Sequence, residues 1–318
     1  MGSCVHCRVA LHCKRHGTYK LVHRDKITRY LWLNEHVLTH YRPCHLPTRL
    51  CIRSTLHLTN ETINIWSHLL GFLYFTYCQL DANLRKLPLF GASRIDHYVI
   101  SSSLLASQMC MLFSALYHTF GCQSTSRRRK FLNLDVFGIS AGLLGMYLSG
   151  IYTAFYCFQD CLQSYLYFLL ALLCIAAYLP SKREKLLKKG SRVGPLHLVY
   201  SALVLAGLLP TIHWISMHGG IWGQQVQTWL PNMIVVYALT GGAFFFYVTL
   251  IPESLSPGTF DVWGSSHQWW HLLILAAMVI WHRAGMNHLE YHYLHRESCP
   301  SLNPITPIVH HNISKPLS

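Results

Sequence analysis

Long apolar runs alternate along the chain with short polar segments, most of them basic. Seven runs approach or reach the length of about 20 helical residues that crosses a bilayer core of roughly 30 Å. They cover residues 63–80, 98–120, 132–157, 161–179, 195–215, 230–251 and 263–282. The last run is marginal in hydropathy because two histidines and a glutamine lie in its first turns. The pattern predicts an all-α protein, a bundle of seven transmembrane helices.

Composition agrees with a membrane protein and excludes several other classes. Only 12% of the 318 residues are charged and 52% are hydrophobic, whereas soluble domains carry about 25% charged residues. A soluble enzyme, a disulfide scaffold and a disordered chain are therefore excluded. The net charge is +14, and the lysines and arginines that produce it cluster beside the apolar runs. They do not form the basic patch that lines a nucleic-acid groove, so no nucleic-acid partner is predicted. Several of the 12 cysteines, Cys157 among them, lie in apolar runs, where we expect them to act as small apolar side chains. We interpret most cysteines as free thiols.

The basic residues predict how the spans are oriented. With seven spans, the N-terminal segment and the loops after spans two, four and six lie on one side of the membrane. That side holds twenty of the 26 lysines and arginines, and the opposite side holds six. Cytosolic loops of membrane proteins carry an excess of lysine and arginine. The N-terminus is therefore predicted to be cytosolic and the C-terminus lumenal. The predicted division is a basic cytosolic segment 1–60, a membrane domain 61–284 and a lumenal tail 285–318.

Ionisable residues inside spans are costly and usually functional, and four of them stand out. His118 ends span two, Asp135 begins span three, and His267 and His271 begin span seven. All four are expected at one depth near the cytosolic face. His267 and His271 are four residues apart and share a helical face. With a third imidazole they offer three nitrogen ligands and an open fourth position, which is typical of a catalytic zinc. The alternative is a set of buried histidines chosen for packing.

Two neighbours extend the predicted zinc site. Asp135 is expected to offset the charge of the ion, either directly or through its bound water. Zinc lowers the pKa of such a water to about 7, which makes a hydroxide nucleophile available. Ser114 lies one turn before His118 and is expected either to orient that imidazole or to bind a substrate carbonyl.

The sequence allows more than one interpretation of the other polar residues near the ends of the spans. Glu61, Asn64 and His68 follow helical spacing at the inner end of span one, where they either line the cavity or form a structural polar seam. His288 and His292 are also four residues apart, but they follow span seven on the far side. We predict a solvated loop there.

Four stretches carry a resemblance to a known family. They are residues 60–72 (NETINIWSHLLGF), 114–118 (SALYH), 134–140 (LDVFGIS) and 265–271 (SSHQWWH). Together they resemble the progestin and adipoQ receptors across the whole membrane region. The resemblance implies a seven-helix bundle with a cytosolic N-terminus and an intramembrane zinc ion. It also implies that His118, His267 and His271 are the zinc ligands and that Asp135 holds the zinc-bound water.

Within that family, segments 46–53 and 210–214 and the short polar tail are similar to a branch that holds Raf kinase at the Golgi. The resemblance implies a Golgi membrane anchor that binds Raf kinase, contacts membrane lipids and damps MAP kinase signalling. One alternative is a zinc-dependent intramembrane hydrolase of a lipid amide such as ceramide, with Ser114 and Asp135 assisting catalysis. Another is a receptor for a steroid or an adipokine-like ligand, with a structural zinc. Whether the protein is an enzyme is left open by the sequence.

Overall fold

The computed structural model describes residues 18–186, 193–295 and 299. Within these ranges the regular structure is helical, apart from one antiparallel bridge between Val22 and Tyr41. Helices α1 to α10 cover, in order, Thr48–Ser54, Thr62–Asp81, Leu87–Phe90, Arg94–Phe120, Thr125–Ala154, Gln159–Leu186, Pro195–Ala206, Leu208–Met217, Gln224–Thr249 and Ser266–Leu294. Three short 3-10 helices (Arg24–Lys26, Arg29–Leu31, Gly220–Trp222) and a π-helical turn (Ala82–Lys86) complete the described elements.

Each apolar run of the sequence corresponds to a helix or to a pair of helices. Helices α2, α4, α5, α6, α9 and α10 occupy six of the runs, and α7 with α8 occupies the remaining one. In the described part of the chain, five segments are long and apolar enough to cross a membrane: α4, α5, the α7–α8 pair, α9 and α10. The apolar part of α6, Gln159–Ile175, is shorter. The chain is therefore an integral membrane protein with several spanning helices.

Two of the apolar segments, α9 and the α7–α8 pair, are little buried inside the protein, as a lipid environment requires. Only 11% of the most apolar window of α9 is buried inside the protein, and for the α7–α8 pair the share is 17%. Large apolar side chains such as Leu70 and Leu73 on α2 point outward. The fully buried core includes Phe75, Leu104 and Met111. Such exposed apolar surface is unstable in water and stable against acyl chains.

Helix α5 approaches α4 closely along a stripe of glycines. A Cβ atom on Gly145 would lie 2.7 Å from the Cβ of Ala106, and one on Gly138 would lie 3.1 Å from the Cα of Cys110. Small residues allow helix backbones to come this close in a membrane. This contact fixes the last turn of α4 beside the first turns of α5.

The end of helix α10 differs from the sequence prediction. The helix runs to Leu294, beyond the predicted end of span seven at residue 282. His288 and His292 are buried in its last turns, with 3% and 4% exposure, so the predicted solvated loop is wrong. The polar residues of this stretch, including the exposed Arg283, lower its hydropathy although one helical face still packs into the bundle.

A disulfide also departs from the prediction for one cysteine. Cys157, which follows α5, is bonded to Cys299 beyond the end of α10. The prediction that Cys157 acts as a small apolar side chain is wrong. The remaining described cysteines are free, as predicted for most of the 12.

Residues 18–60 fold against the end of the bundle where α4 ends and α10 begins, and we call them the N-terminal cap. The guanidinium of Arg42 donates hydrogen bonds to the backbone carbonyls of His118 and Thr119, the second at 2.8 Å. The side-chain amide of Gln123 donates to the carbonyl of Leu46 at 3.0 Å. The cap is thus bonded to the last turn of α4 and to the loop that follows it.

Two buried acidic residues between α9 and α10 bind the other side of the cap. Glu253 accepts hydrogen bonds from Asn34 Nδ2 at 2.9 Å, from the backbone N–H of Ser266 at 2.7 Å and from Ser266 Oγ at 2.5 Å. Asp261 accepts from the backbone N–H groups of residues 38 and 39 at 2.9 and 2.8 Å. The bonds of Glu253 connect the cap to the first turn of α10, which carries the predicted metal ligand His267.

Candidate metal centre

Three imidazoles converge between the last turn of α4 and the first turns of α10. The Nε2 atoms of His267 and His118 are 3.4 Å apart, and those of His271 and His267 are 3.2 Å apart. A tetrahedral zinc with Zn–N bonds of 2.0–2.1 Å separates its nitrogen ligands by about 3.3 Å. His118 and His271 are each only 2% exposed. One ligand atom from each of the three residues lies within 4.8 Å of the others, so the group can hold a metal ion.

The hydrogen bond of His118 leaves its Nε2 free to bind a metal. Its Nδ1 lies 2.7 Å from the carboxylate oxygen Oε2 of Glu61. A carboxylate accepts, so Nδ1 donates, and the lone pair of the neutral ring is then on Nε2, which faces the other two imidazoles. The Nδ1 of His271 has no hydrogen-bond partner among the described residues. Imidazole nitrogens are ligands for zinc and for other transition metals.

Glu61 and His68, which the sequence left between two interpretations, both lie at this site. Glu61 precedes α2, is buried, and accepts a second hydrogen bond from Asn64 Nδ2 at 2.7 Å. The ring of His68 packs on that of His271 with centroids 3.9 Å apart. Both nitrogens of His68 lack a hydrogen-bond partner within the part of the chain that the structure describes. Both residues therefore contact the histidine cluster, and the pairing of Glu61 with His118 is the contact that spacing alone did not identify.

Ser114 and Asp135 adjoin the same imidazoles. The carboxyl of Asp135 interacts electrostatically with Ser114 and with His118. Ser114 is buried, whereas Asp135 is partly exposed. The Asp135 carboxyl lies outside the three-histidine group of ligand atoms. The structure therefore brings all five predicted site residues to one end of the bundle.

The fold and the site define a class of protein, a multi-pass helical membrane protein with a buried histidine cluster at one end. Residues 56–282 match the family described as Haemolysin-III related. The chain is 37% identical to progestin and adipoQ receptor family member 3 of Mus musculus over 268 residues, which are 84% of this chain and 85% of that protein. The Homo sapiens protein of the same name matches equally, at 37% over 268 residues.

A more distant match extends the comparison to insects. The adiponectin receptor protein of Drosophila melanogaster is 30% identical over 297 residues, which cover 91% of this chain and 64% of that protein. The chain belongs to the progestin and adipoQ receptor family, and the resemblance found in the sequence is confirmed.

Proposed function

We propose that this protein is a receptor-like protein of the Golgi membrane that binds Raf kinase on its cytosolic face and damps MAP kinase signalling. The observation that carries the proposal is the 37% identity to family member 3 over 84% of the chain. The resemblance in segments 46–53 and 210–214 implies the same branch of the family. Segment 46–53 forms most of helix α1, on the surface of the N-terminal cap.

The proposed topology has seven spans, a cytosolic N-terminus and a lumenal C-terminus. Seven helical segments at the positions of the seven apolar runs support the number of spans. The basic segments support the orientation, because twenty of the 26 lysines and arginines fall on the proposed cytosolic side. The disulfide between Cys157 and Cys299 lies at the opposite end from the histidine cluster. A disulfide persists in an oxidising compartment, so its position supports a lumenal location for that end.

We propose zinc as the cofactor of the histidine cluster, held by His118, His267 and His271. The spacing of the three Nε2 atoms and the Glu61 bond to His118 support this proposal. In this arrangement Glu61 fixes the orientation of the His118 imidazole, and the backbone bonds from Arg42 fix the helix turn that carries it.

The Glu61 bond gives a testable prediction. We expect Glu61→Gln to lower zinc affinity about 10- to 100-fold, the usual effect of removing a carboxylate that orients a metal-bound imidazole. Competition with a chromophoric chelator measures the affinity on purified protein. The control is Glu35→Gln, which removes the charge of a side chain on the cap that is 56% exposed. Equal zinc affinity in Glu61→Gln and wild type would refute the positioning role.

The cap presents a basic surface to the proposed cytosol. Its exposed cationic side chains include Lys20, Arg49 and Arg53. Such a surface attracts an acidic or phosphorylated partner. We propose that Raf kinase binds there, above the end of the bundle that holds the histidine cluster.

Charge reversal tests this surface without removing the cap, whose contacts support the bundle. We expect Lys20→Glu/Arg49→Glu/Arg53→Glu to reduce co-purification of Raf kinase at least about tenfold, because attraction becomes repulsion across the interface. The matched control is Arg94→Glu, an exposed charge at the other end of the bundle. Raf recruitment that survives the triple substitution would exclude this surface as the binding site.

A hydrolase of a lipid amide is the second candidate, favoured by the Ser114–Asp135 pair beside His118. When bound, zinc would supply a hydroxide nucleophile at neutral pH. In this proposal Ser114 would bind the substrate carbonyl, and Asp135 would accept and return the proton. Release of fatty acid from ceramide in reconstituted vesicles, abolished by His271→Ala while Raf recruitment persists, would establish the enzyme. The alternative result would establish the membrane anchor for Raf kinase. In that case Lys20→Glu/Arg49→Glu/Arg53→Glu loses Raf recruitment, and the wild-type protein releases no fatty acid.

A further inference from the structure

A second group of metal-ligating side chains lies at the end of the bundle opposite the histidine cluster. It comprises Cys157, His292 and Cys299, whose ligand atoms all lie within 4.8 Å of one another. His292 follows His267 by 25 residues on helix α10, a rise of about 37 Å at 1.5 Å per residue. We propose that these three residues form a second zinc site. The site cannot bind zinc while the Cys157–Cys299 disulfide is intact, and it can bind zinc once the disulfide is reduced.

The orientation of His292 supports a metal ligand. Its Nε2 lies 2.8 Å from the backbone carbonyl oxygen of Thr153. A carbonyl only accepts, so Nε2 carries the hydrogen, and Nδ1 of the neutral ring presents its lone pair. That Nδ1 is 3.6 Å from the sulfur of Cys157. A ring held by a backbone carbonyl through one nitrogen, with the other nitrogen aimed at the metal, is the usual arrangement of metal-binding histidines.

The distances agree with zinc coordination. Zn–S bonds of about 2.3 Å and Zn–N bonds of 2.0–2.1 Å at a tetrahedral angle separate sulfur and nitrogen by about 3.6 Å. The Cys157 Sγ to His292 Nδ1 distance is 3.6 Å. The sulfur of Cys299 lies beside both atoms because it is bonded to that of Cys157. Breaking this bond lets the two sulfurs separate to the vertices of a tetrahedron.

The surroundings favour a neutral metal complex. His292 is only 4% exposed, and the ring of Tyr156 stacks on it with centroids 5.2 Å apart. His288, at a centroid distance of 4.7 Å, covers another side. Two thiolates and a neutral imidazole cancel the double charge of Zn²⁺, so the filled site carries no net charge into a poorly hydrated region. A water can occupy the fourth position.

The proposed conversion is a balanced reaction. A dithiol reductant delivers two electrons and two protons, the Cys157–Cys299 sulfur–sulfur bond breaks, and the reductant becomes a disulfide. Zn²⁺ then forms bonds to both sulfurs and to His292 Nδ1, and the two thiols release their two protons. The imidazole releases no proton because its Nδ1 is already unprotonated. In the reverse reaction a small-molecule disulfide accepts the two electrons and takes up two protons to become a dithiol, the Cys157–Cys299 bond forms again, and the ion leaves.

Metal content with and without reduction tests the site. Full-length protein in nanodiscs is incubated with Zn²⁺, with or without a phosphine reductant, and then desalted and analysed by mass spectrometry for metal. We expect reduction to add about one zinc per chain. Co²⁺ in place of zinc is expected to give a thiolate-to-cobalt charge-transfer band in the reduced sample alone. Because the readout is the difference between the two samples, it is independent of whether the first histidine cluster binds zinc.

Variants locate the added metal. His292→Ala keeps both cysteines and is expected to lose the reduction-dependent zinc, as are Cys157→Ser and Cys299→Ser. The matched control is Cys51→Ser/Cys122→Ser, which removes another pair of sulfurs that lie only 3.7 Å apart but outside this group. That control is expected to retain the added zinc. The proposal is overturned if reduction adds no zinc to wild type, or if the control loses the added metal and His292→Ala keeps it.

Discussion

Replacing His267 and His271 together by alanine is expected to lower the zinc content of the purified protein from about one ion per chain to near zero. A single imidazole, His118, then remains of the three ligands, and one nitrogen does not hold zinc against water. The apparent melting temperature is expected to fall as well, because metal binding to the folded state contributes to stability. Metal analysis of wild type and variant, side by side under oxidising conditions, measures the effect.

The matched control for this variant is His97→Ala/His213→Ala, which removes two imidazoles that lie outside the proposed centre. Zinc content is expected to equal that of wild type in this control. Zinc retained by the His267→Ala/His271→Ala protein would contradict the assignment of the ligands.

Removing the carboxylate of Glu253 is expected to loosen the N-terminal cap where Asn34 meets the start of α10. Glu253 is fully buried and accepts three hydrogen bonds, from Asn34 and Ser266. In Glu253→Ala these donors lose their partner in a buried site, at about 1–3 kcal/mol for each. We expect a melting temperature lowered by several degrees and rapid proteolytic cleavage within residues 18–60. Limited proteolysis followed by mass spectrometry of the fragments measures the cleavage.

Two comparisons make the Glu253 result specific. Glu35→Ala removes an exposed carboxylate from the cap and is expected to leave the cleavage pattern unchanged. Glu253→Gln keeps one acceptor oxygen and is expected to give an intermediate cleavage rate. Equal protease resistance of wild type and Glu253→Ala would show that this carboxylate does not hold the cap.

The sequence predicted the long helices well because a lipid environment leaves a strong signal. Helix faces that contact acyl chains must be apolar. The hydropathy of the sequence therefore reveals α9, although little of that helix is buried inside the protein. The end of α10 has no such signal. There the apolar requirement applies to one face alone, and buried histidines such as His288 lower the hydropathy of a continuous helix.

The imidazole cluster was predictable for a geometric reason. His267 and His271 share a helical face, and the position of His118 at the end of a span fixes its depth. The partner of the cluster was harder to find, because Glu61 and His118 are 57 residues apart. The cap contact between Asn34 and Glu253 joins residues 219 positions apart. The disulfide joins residues separated by 142 positions. Such pairings are set by how the helices dock and leave no local pattern in the sequence.

X-ray absorption at the zinc edge on the purified, oxidised protein tests the central claim most directly, since it identifies the atoms bound to the metal. The claim predicts a first shell of nitrogen and oxygen alone, with the outer-shell scattering of three imidazole rings from His118, His267 and His271. A shell that contains sulfur, or protein that carries no zinc after purification without chelators, would contradict it.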